Sequence, residues 1–156
     1  MWFSSLCCFI VCCRYVPDRS YLAALTAHLQ TQLRLCDADA LSMALWALAA
    51  LQQPLPSESW GAAWCAAALA EADGFGPQAL AHGLAGMAAL KVQPSVGLMQ
   101  SLTLAASGCL SSFSCMELGL MVAALADLHW RPSDTWREVS EALIYIYLDV
   151  WACRCQ

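Results

Sequence analysis

The sequence predicts an all-α protein, a right-handed α-α superhelix (solenoid) of helix-turn-helix repeats. Three observations support this prediction: similar segments recur every 38 or 39 residues, apolar residues within each unit follow helical spacing, and no stretch shows sustained strand alternation. A single helix pair cannot bury its own apolar stripe, so stacked neighbours must cover it. This stacking also explains why 60% of the residues are hydrophobic.

A short motif of proline, a helix-capping residue and a bulky apolar residue predicts the start of each unit. The four motifs are PDRSY from Pro17, PSESW from Pro56, PSVGL from Pro94 and PSDTW from Pro132. The capping residues are Asp18, Ser57, Ser95 and Ser133, and all four are of types that cap helices well. Residues 17–156 are therefore predicted to form one helical-repeat domain with units 17–55, 56–93, 94–131 and a partial unit 132–156.

The second helix of each unit is predicted from its own cap and from an apolar stripe. The expected caps are Asp37, Gly76 and Ser114; Pro77 occupies the first helical position, and Ser114 with Glu117 forms a capping box. The stripes, with spacing 4, 3, 3, are Leu41, Leu45, Leu48 and Leu51; Leu80, Leu84, Met87 and Leu90; and Leu118, Val122, Leu125 and Leu128. A column of small residues, Ala49, Ala88 and Ala126, predicts close approach between these helices.

The first helices carry a weaker stripe, for example Trp60, Ala63, Trp64 and Ala67. The β-branched and aromatic run at 143–151 follows a predicted helix start, so we interpret it as the end of the last first helix. We expect the large aromatic residues to fill the core rather than to stack on bases, because they bury so much area. These residues are Trp46, Trp60, Trp64 and Trp136.

The apolar composition does not predict insertion into a membrane. The longest uncharged run lies between Lys91 and Glu117, but Gln, Pro, Gly and Ser interrupt it, whereas a spanning helix needs roughly 20 predominantly apolar residues. Residues 1–16 contain an apolar run without a preceding Lys or Arg, so the positively charged start expected of a secretory signal is missing. Two interpretations of 1–16 stay open: an organelle targeting segment, or a spurious start of a longer chain.

No residue pattern predicts an enzyme, a metal site or a cofactor. The cluster Cys7, Cys8, Cys12 and Cys13 lacks the C-x2-C spacing of structural zinc sites. Four further cysteines are expected to be reduced and buried within helices, namely Cys36, Cys65, Cys109 and Cys115. The histidines, His28, His82 and His129, are isolated in sequence, and we expect His82 to serve packing or turn bonding rather than catalysis.

The period and the motifs together resemble the octotricopeptide repeat family. That family has a Pro-x-x-x-Trp start, a Phe-x-Pro-Gln-x-Leu-Ala turn and a Leu-Trp-Ala-Leu-Ala helix. Matching segments here are Pro56 to Trp60, FGPQALA from Phe75, and LWALA from Leu45. The third copy departs from the pattern, with Cys115 and Met116 in place of Pro-Gln.

The resemblance, which covers roughly residues 17–142, implies single-stranded RNA binding on a concave face. It also implies an organelle, the chloroplast of a green alga or alternatively a mitochondrion, and a role in RNA maturation or translation. The candidate phosphate contacts are Lys91, Arg131 and Arg137, all at or just after the turns between units. The net charge of −5 disfavours a DNA partner and keeps open the alternative of a protein-interaction scaffold, or of self-association.

Overall fold

Six α-helices, arranged as three pairs, make up the part of the chain that the computed structural model describes, residues 18–133 and 138. They are α1 (Arg19–Gln32), α2 (Ala38–Ala50), α3 (Glu58–Ala70), α4 (Pro77–Ala89), α5 (Val96–Gly108) and α6 (Cys115–Asp127). A 3-10 turn joins the two helices of each pair, at Leu33–Leu35, Ala72–Gly74 and Leu110–Ser112. Since these residues contain no strand, the predicted all-α class is confirmed.

Each helix begins directly after the cap that the sequence predicts. The side chains of Asp18, Asp37, Ser57, Ser95 and Ser114 each accept a hydrogen bond from the backbone N–H three residues later. The capping box between Ser114 and Glu117 is present in full. Before α4, Gly76 has no side chain to cap with, and Pro77 at the first position removes one N–H that would otherwise need a partner.

Each second helix ends in the same left-handed turn. At the end of α4, Lys91 has φ 56° and its N–H donates to Ala88 O, while Val92 N–H donates to Met87 O. This pair of bonds is the Schellman motif, with the apolar Val92 buried behind it. Gln52 and His129 adopt the same conformation after α2 and α6. Glycine is the usual residue at this position. Because Gln52, Lys91 and His129 stand there instead, the sequence did not predict these turns.

The helices form two layers. The second-helix layer contains α2, α4 and α6, and here α4 makes extensive contacts with both neighbours; the first-helix layer contains α1, α3 and α5, whose mutual contacts are few. Helices α2 and α4 approach closely at Gly86, where a Cβ atom would lie 2.7 Å from the Leu45 Cβ. The buried column is thus Ala47, Gly86 and Ala124. The predicted column was wrong: Ala126 is exposed.

The core lies between the layers and includes most of the predicted stripe residues. Leu41, Leu45, Leu80, Leu84, Met87 and Leu118 are fully buried. In α6, however, Val122 is only half-buried and its neighbour Met121 is fully buried instead. Trp60 and Trp64 are confirmed as core residues. The indole Nε1–H of Trp60 donates to Thr26 O in α1 (3.2 Å), and that of Trp64 donates to Leu41 O in α2 (2.9 Å), so both tie the second pair to the first.

The cysteine prediction was partly wrong. Cys36 is half-buried but lies between helices, and Cys115 is exposed at the first residue of α6. Cys65 and Cys109 are half-buried, and burial raises the pKa of both thiols, as expected for inert residues. None of the helices within 18–133 combines the length and the apolar character that crossing a bilayer requires.

Several predictions concern residues outside the described part of the chain. They are the segment 1–16 with its four cysteines, Trp136, the helix expected after Ser133 and its expected end at 143–151.

Candidate binding site on the second-helix layer

The side of α2, α4 and α6 that points away from the first-helix layer, here called the second-helix face, is a row of partly exposed side chains. The buried stripes fix its position, because residues such as Leu45 and Leu84 turn inward and leave their neighbours at the surface. Two equivalent positions on each of the three helices lie on this face. They are Met43 and Trp46 on α2, His82 and Ala85 on α4, and Leu120 and Ala123 on α6.

Trp46 and His82 form the most specific feature of this face. Their rings stack with centroids 4.7 Å apart and planes inclined by 15°. The pair joins α2 to α4, beside the close approach at Gly86, and both side chains are half-buried. Trp46 therefore differs from the core residue that the sequence predicts. Its ring stacks on His82 and is only partly exposed.

Burial keeps the His82 imidazole neutral. Its Nδ1 atom is buried and has no hydrogen-bond partner. Protonation would place a charged N–H at this atom with no acceptor, which is far more costly than an unpaired lone pair. Burial accordingly lowers the pKa of His82, and the nearby Glu117 carboxylate opposes this shift only in part. At neutral pH His82 thus acts as an uncharged aromatic partner of Trp46.

The carboxylate of Glu117 is held in place by the start of its own helix. It accepts hydrogen bonds from the backbone N–H of Ser114 (2.8 Å) and from the Ser114 hydroxyl (2.7 Å). These bonds lower the pKa of Glu117, so it carries a full negative charge at neutral pH. The second-helix face therefore has a fixed anion near its aromatic pair.

The remaining charges of the second-helix layer are also negative. Asp39 on α2 and Asp127 on α6 are exposed, and none of the three helices contains Lys or Arg. The nearest cation along the chain is Lys91, which is exposed in the left-handed turn directly after α4. Among the described residues, the positive charge nearest to this face along the chain thus lies at its edge.

The structure separates the predicted phosphate contacts. Lys91 extends from the end of the second-helix layer, whereas Arg131 lines a groove of about 430 Å³ beside Gln100, Thr103 and Leu104 of α5, on the first-helix side. Arg137 lies outside the described residues. Of the two candidates that the structure describes, Lys91 alone directly follows a helix of the second-helix layer.

The aromatic pair was not predicted, because Trp46 and His82 were each interpreted as separate residues in the sequence. The repeat contains one signal that they are neighbours. Trp46 on α2 is equivalent to Ala85 on α4, and His82 precedes Ala85 by about one helical turn, so His82 is expected close to Trp46. Within the described residues, no three His, Cys, Asp or Glu side chains come together as a group that could hold a metal ion.

Comparisons of the chain with protein families, with characterised proteins and with solved structures find no match. The octotricopeptide resemblance therefore depends on the period and motifs of the sequence alone.

Proposed function

We propose that this chain is a helical-repeat module of the α-α solenoid type that binds single-stranded RNA on its second-helix face. Helices packed closely in one layer and loosely in the other produce a curved stack, with the closer layer on the inner side. The close approach at Gly86 and the sparse contacts among α1, α3 and α5 thus favour a concave second-helix face.

The observation that carries the RNA proposal is the half-exposed stack of Trp46 on His82. An aromatic surface that is already held flat can receive a nucleobase without further ordering, and such stacking contributes about 1–3 kcal/mol per base. Lys91 at the edge of the face is available for a phosphate. Because the face itself is acidic, the RNA backbone is expected to follow the edge while bases lean over the helices.

The resemblance to octotricopeptide repeats supports the same ligand. It places the proposed role in organelle RNA metabolism, in a chloroplast or alternatively a mitochondrion, as a maturation or translation factor. Only three helix pairs are described, so the proposed site contacts few bases, and we expect weak binding with little sequence preference.

Titration of a fluorescein-labelled single-stranded RNA at low ionic strength, followed by anisotropy, tests this proposal. Trp46→Ala should weaken binding roughly 5- to 150-fold, the effect of losing one stacked base. Lys91→Gln should lower the slope of log affinity against log salt by about 0.7, the value for one lost phosphate contact on a single strand. No RNA binding by the wild-type protein, or full binding by Trp46→Ala, contradicts the proposal.

Arg34→Gln serves as the matched control for Lys91→Gln. It removes the same charge from an exposed residue, but Arg34 lies in the turn between α1 and α2, at the opposite end of the second helices. Equal effects of the two variants would indicate a general charge effect rather than a contact at the edge of the second-helix face.

A protein ligand is a second candidate, favoured by the absence of Lys and Arg from α2, α4 and α6. Apolar Leu120, one helical turn after the anionic Glu117 on α6, would suit a basic amphipathic peptide. Binding of such a peptide that depends on Trp46, together with no binding of RNA, would select this candidate.

A further inference from the structure

Two open grooves lie at equivalent places on the first-helix side of the protein. The α1 groove, about 410 Å³, lies between α1 and the connection from α2 to α3, and the α5 groove, about 430 Å³, lies between α5 and the residues that follow α6. Each described residue that lines the α5 groove stands 77 residues after one that lines the α1 groove, as Thr103 does after Thr26. This interval is two repeat units, so the repeat itself produces both grooves.

The described charges in both grooves are positive. Arg19 lines the α1 groove and Arg131 lines the α5 groove, and both side chains are exposed. Residues 18–133 and 138 contain nine carboxylates and four Lys or Arg; none of these carboxylates lines either groove, whereas two of the four cations do. Arginine can bind a carboxylate through two parallel N–H···O bonds. The grooves are therefore places where this acidic protein attracts an anionic group.

Helix α3 lies between the two grooves, since it contacts both α1 and α5. Its positions equivalent to groove-lining residues of α1 and α5 are Ala62, Cys65, Ala66 and Leu69. Cys65 is half-buried and the other three are exposed. The only charged residue of α3 is Glu58, at the first position of the helix. The middle of α3 thus suits an apolar side chain.

We propose that the first-helix side binds an extended acidic peptide of a protein partner, with one carboxylate at Arg19, one at Arg131 and an apolar side chain over α3. Helices packed side by side lie about 8–10 Å apart, so α1 and α5 are about 20 Å apart. An extended peptide advances about 3.3 Å per residue, so two carboxylates about six residues apart reach both arginines. This site is separate from the second-helix face and does not depend on RNA binding there.

The other polar residues of the grooves favour a peptide over an RNA strand. Gln30 in the α1 groove and Gln100 in the α5 groove are exposed, and each side-chain amide can both donate and accept a hydrogen bond, as a peptide group does. Grooves for single-stranded nucleic acid combine a positive track along the backbone with aromatic rings for the bases. Here one described arginine lies in each groove, and α3 between them has no cation. This spacing suits two separate carboxylates rather than a row of phosphates.

Fluorescence anisotropy of a fluorescein-labelled peptide, titrated with the full chain under reducing conditions, tests this proposal. The probe peptide has two Glu six residues apart, a Leu midway between them and otherwise Ser. The wild type should bind it saturably. Arg19→Glu with Arg131→Glu should weaken binding at least roughly tenfold, because attraction becomes repulsion at both contacts. An anion at the first position of α1 is favourable and Arg131 is exposed, so circular dichroism should show an intact fold.

Arg34→Glu with Lys91→Glu is the matched control. It changes the net charge by the same amount at two exposed residues that line neither groove, so it should leave peptide binding unchanged within about twofold. A probe with its two Glu only three residues apart should bind at least roughly fivefold more weakly, because it reaches one arginine at a time. Trp46→Ala should bind the peptide like the wild type, which separates this site from the proposed RNA site.

Three results would overturn the proposal. They are no saturable binding of the peptide by the wild type, equal loss of binding in the two Glu double variants, and equal affinity for the two peptide spacings. Displacement of the bound peptide by single-stranded RNA would likewise overturn it, because the grooves would then hold phosphates.

Discussion

Replacing Gly86 by Ala tests whether helix propensity or packing between α2 and α4 controls stability. An added Cβ would lie 2.7 Å from the Leu45 Cβ, 3.0 Å from the Leu45 carbonyl carbon and 3.2 Å from the Trp46 backbone nitrogen. Two of these atoms belong to the backbone, so a rotamer change cannot relieve the contacts and the helices must move apart. Propensity favours Ala by about 1 kcal/mol, and overpacking costs about 1–3 kcal/mol. We expect a net loss of about 0–2 kcal/mol, which is about 1–3 kcal/mol less favourable than the same substitution at an open helical site.

Urea unfolding followed by far-ultraviolet circular dichroism measures this change. Gly119→Ala is the matched control, because Gly119 is inside α6 with no atom within 4 Å of its Cβ position, and it should gain about 1 kcal/mol. Gly83→Ala, whose Cβ would be 3.5 Å from Phe75 Cε1, should fall between the two. If Gly86→Ala proves as stable as Gly119→Ala, the close approach of α2 and α4 described above is wrong.

Three further variants test other features. Lys91→Gly should raise stability by about 1 kcal/mol, because the left-handed φ of 56° is strained for any residue but glycine; a loss in urea unfolding would contradict this conformation. Trp64→Phe should cost about 1–3 kcal/mol in the same assay by leaving Leu41 O without its indole donor, and no loss would refute a structural role for that bond. For His82, burial lowers the folded pKa, so the unfolded chain binds a proton first as the pH falls below about 6.5. The free energy of unfolding of the wild type should therefore fall relative to that of His82→Phe between that pH and the lower folded pKa. Parallel pH profiles of the two unfolding free energies would exclude a lowered pKa for His82.

The helix caps and the apolar spacing within each helix were predictable because both depend only on residues close together in the sequence. A capping side chain such as Ser57 or Ser114 bonds to a backbone N–H only three residues away, so the segment itself contains both partners. The stripe spacing likewise needs only one helix. These signals were sufficient to predict the six described helices and their grouping in pairs.

The binding site was less predictable because it depends on contacts between units. Trp46 and His82 are 36 residues apart in the sequence. Their stacking depends on the shift of α2 relative to α4 along the helix axes and on the distance between the two helices. Gly86 sets that approach, yet in sequence it is only one of several small residues in its helix. The small-residue column was assigned two positions too late for the same reason. Alanine is common throughout these helices, so residue size alone could not identify the contact.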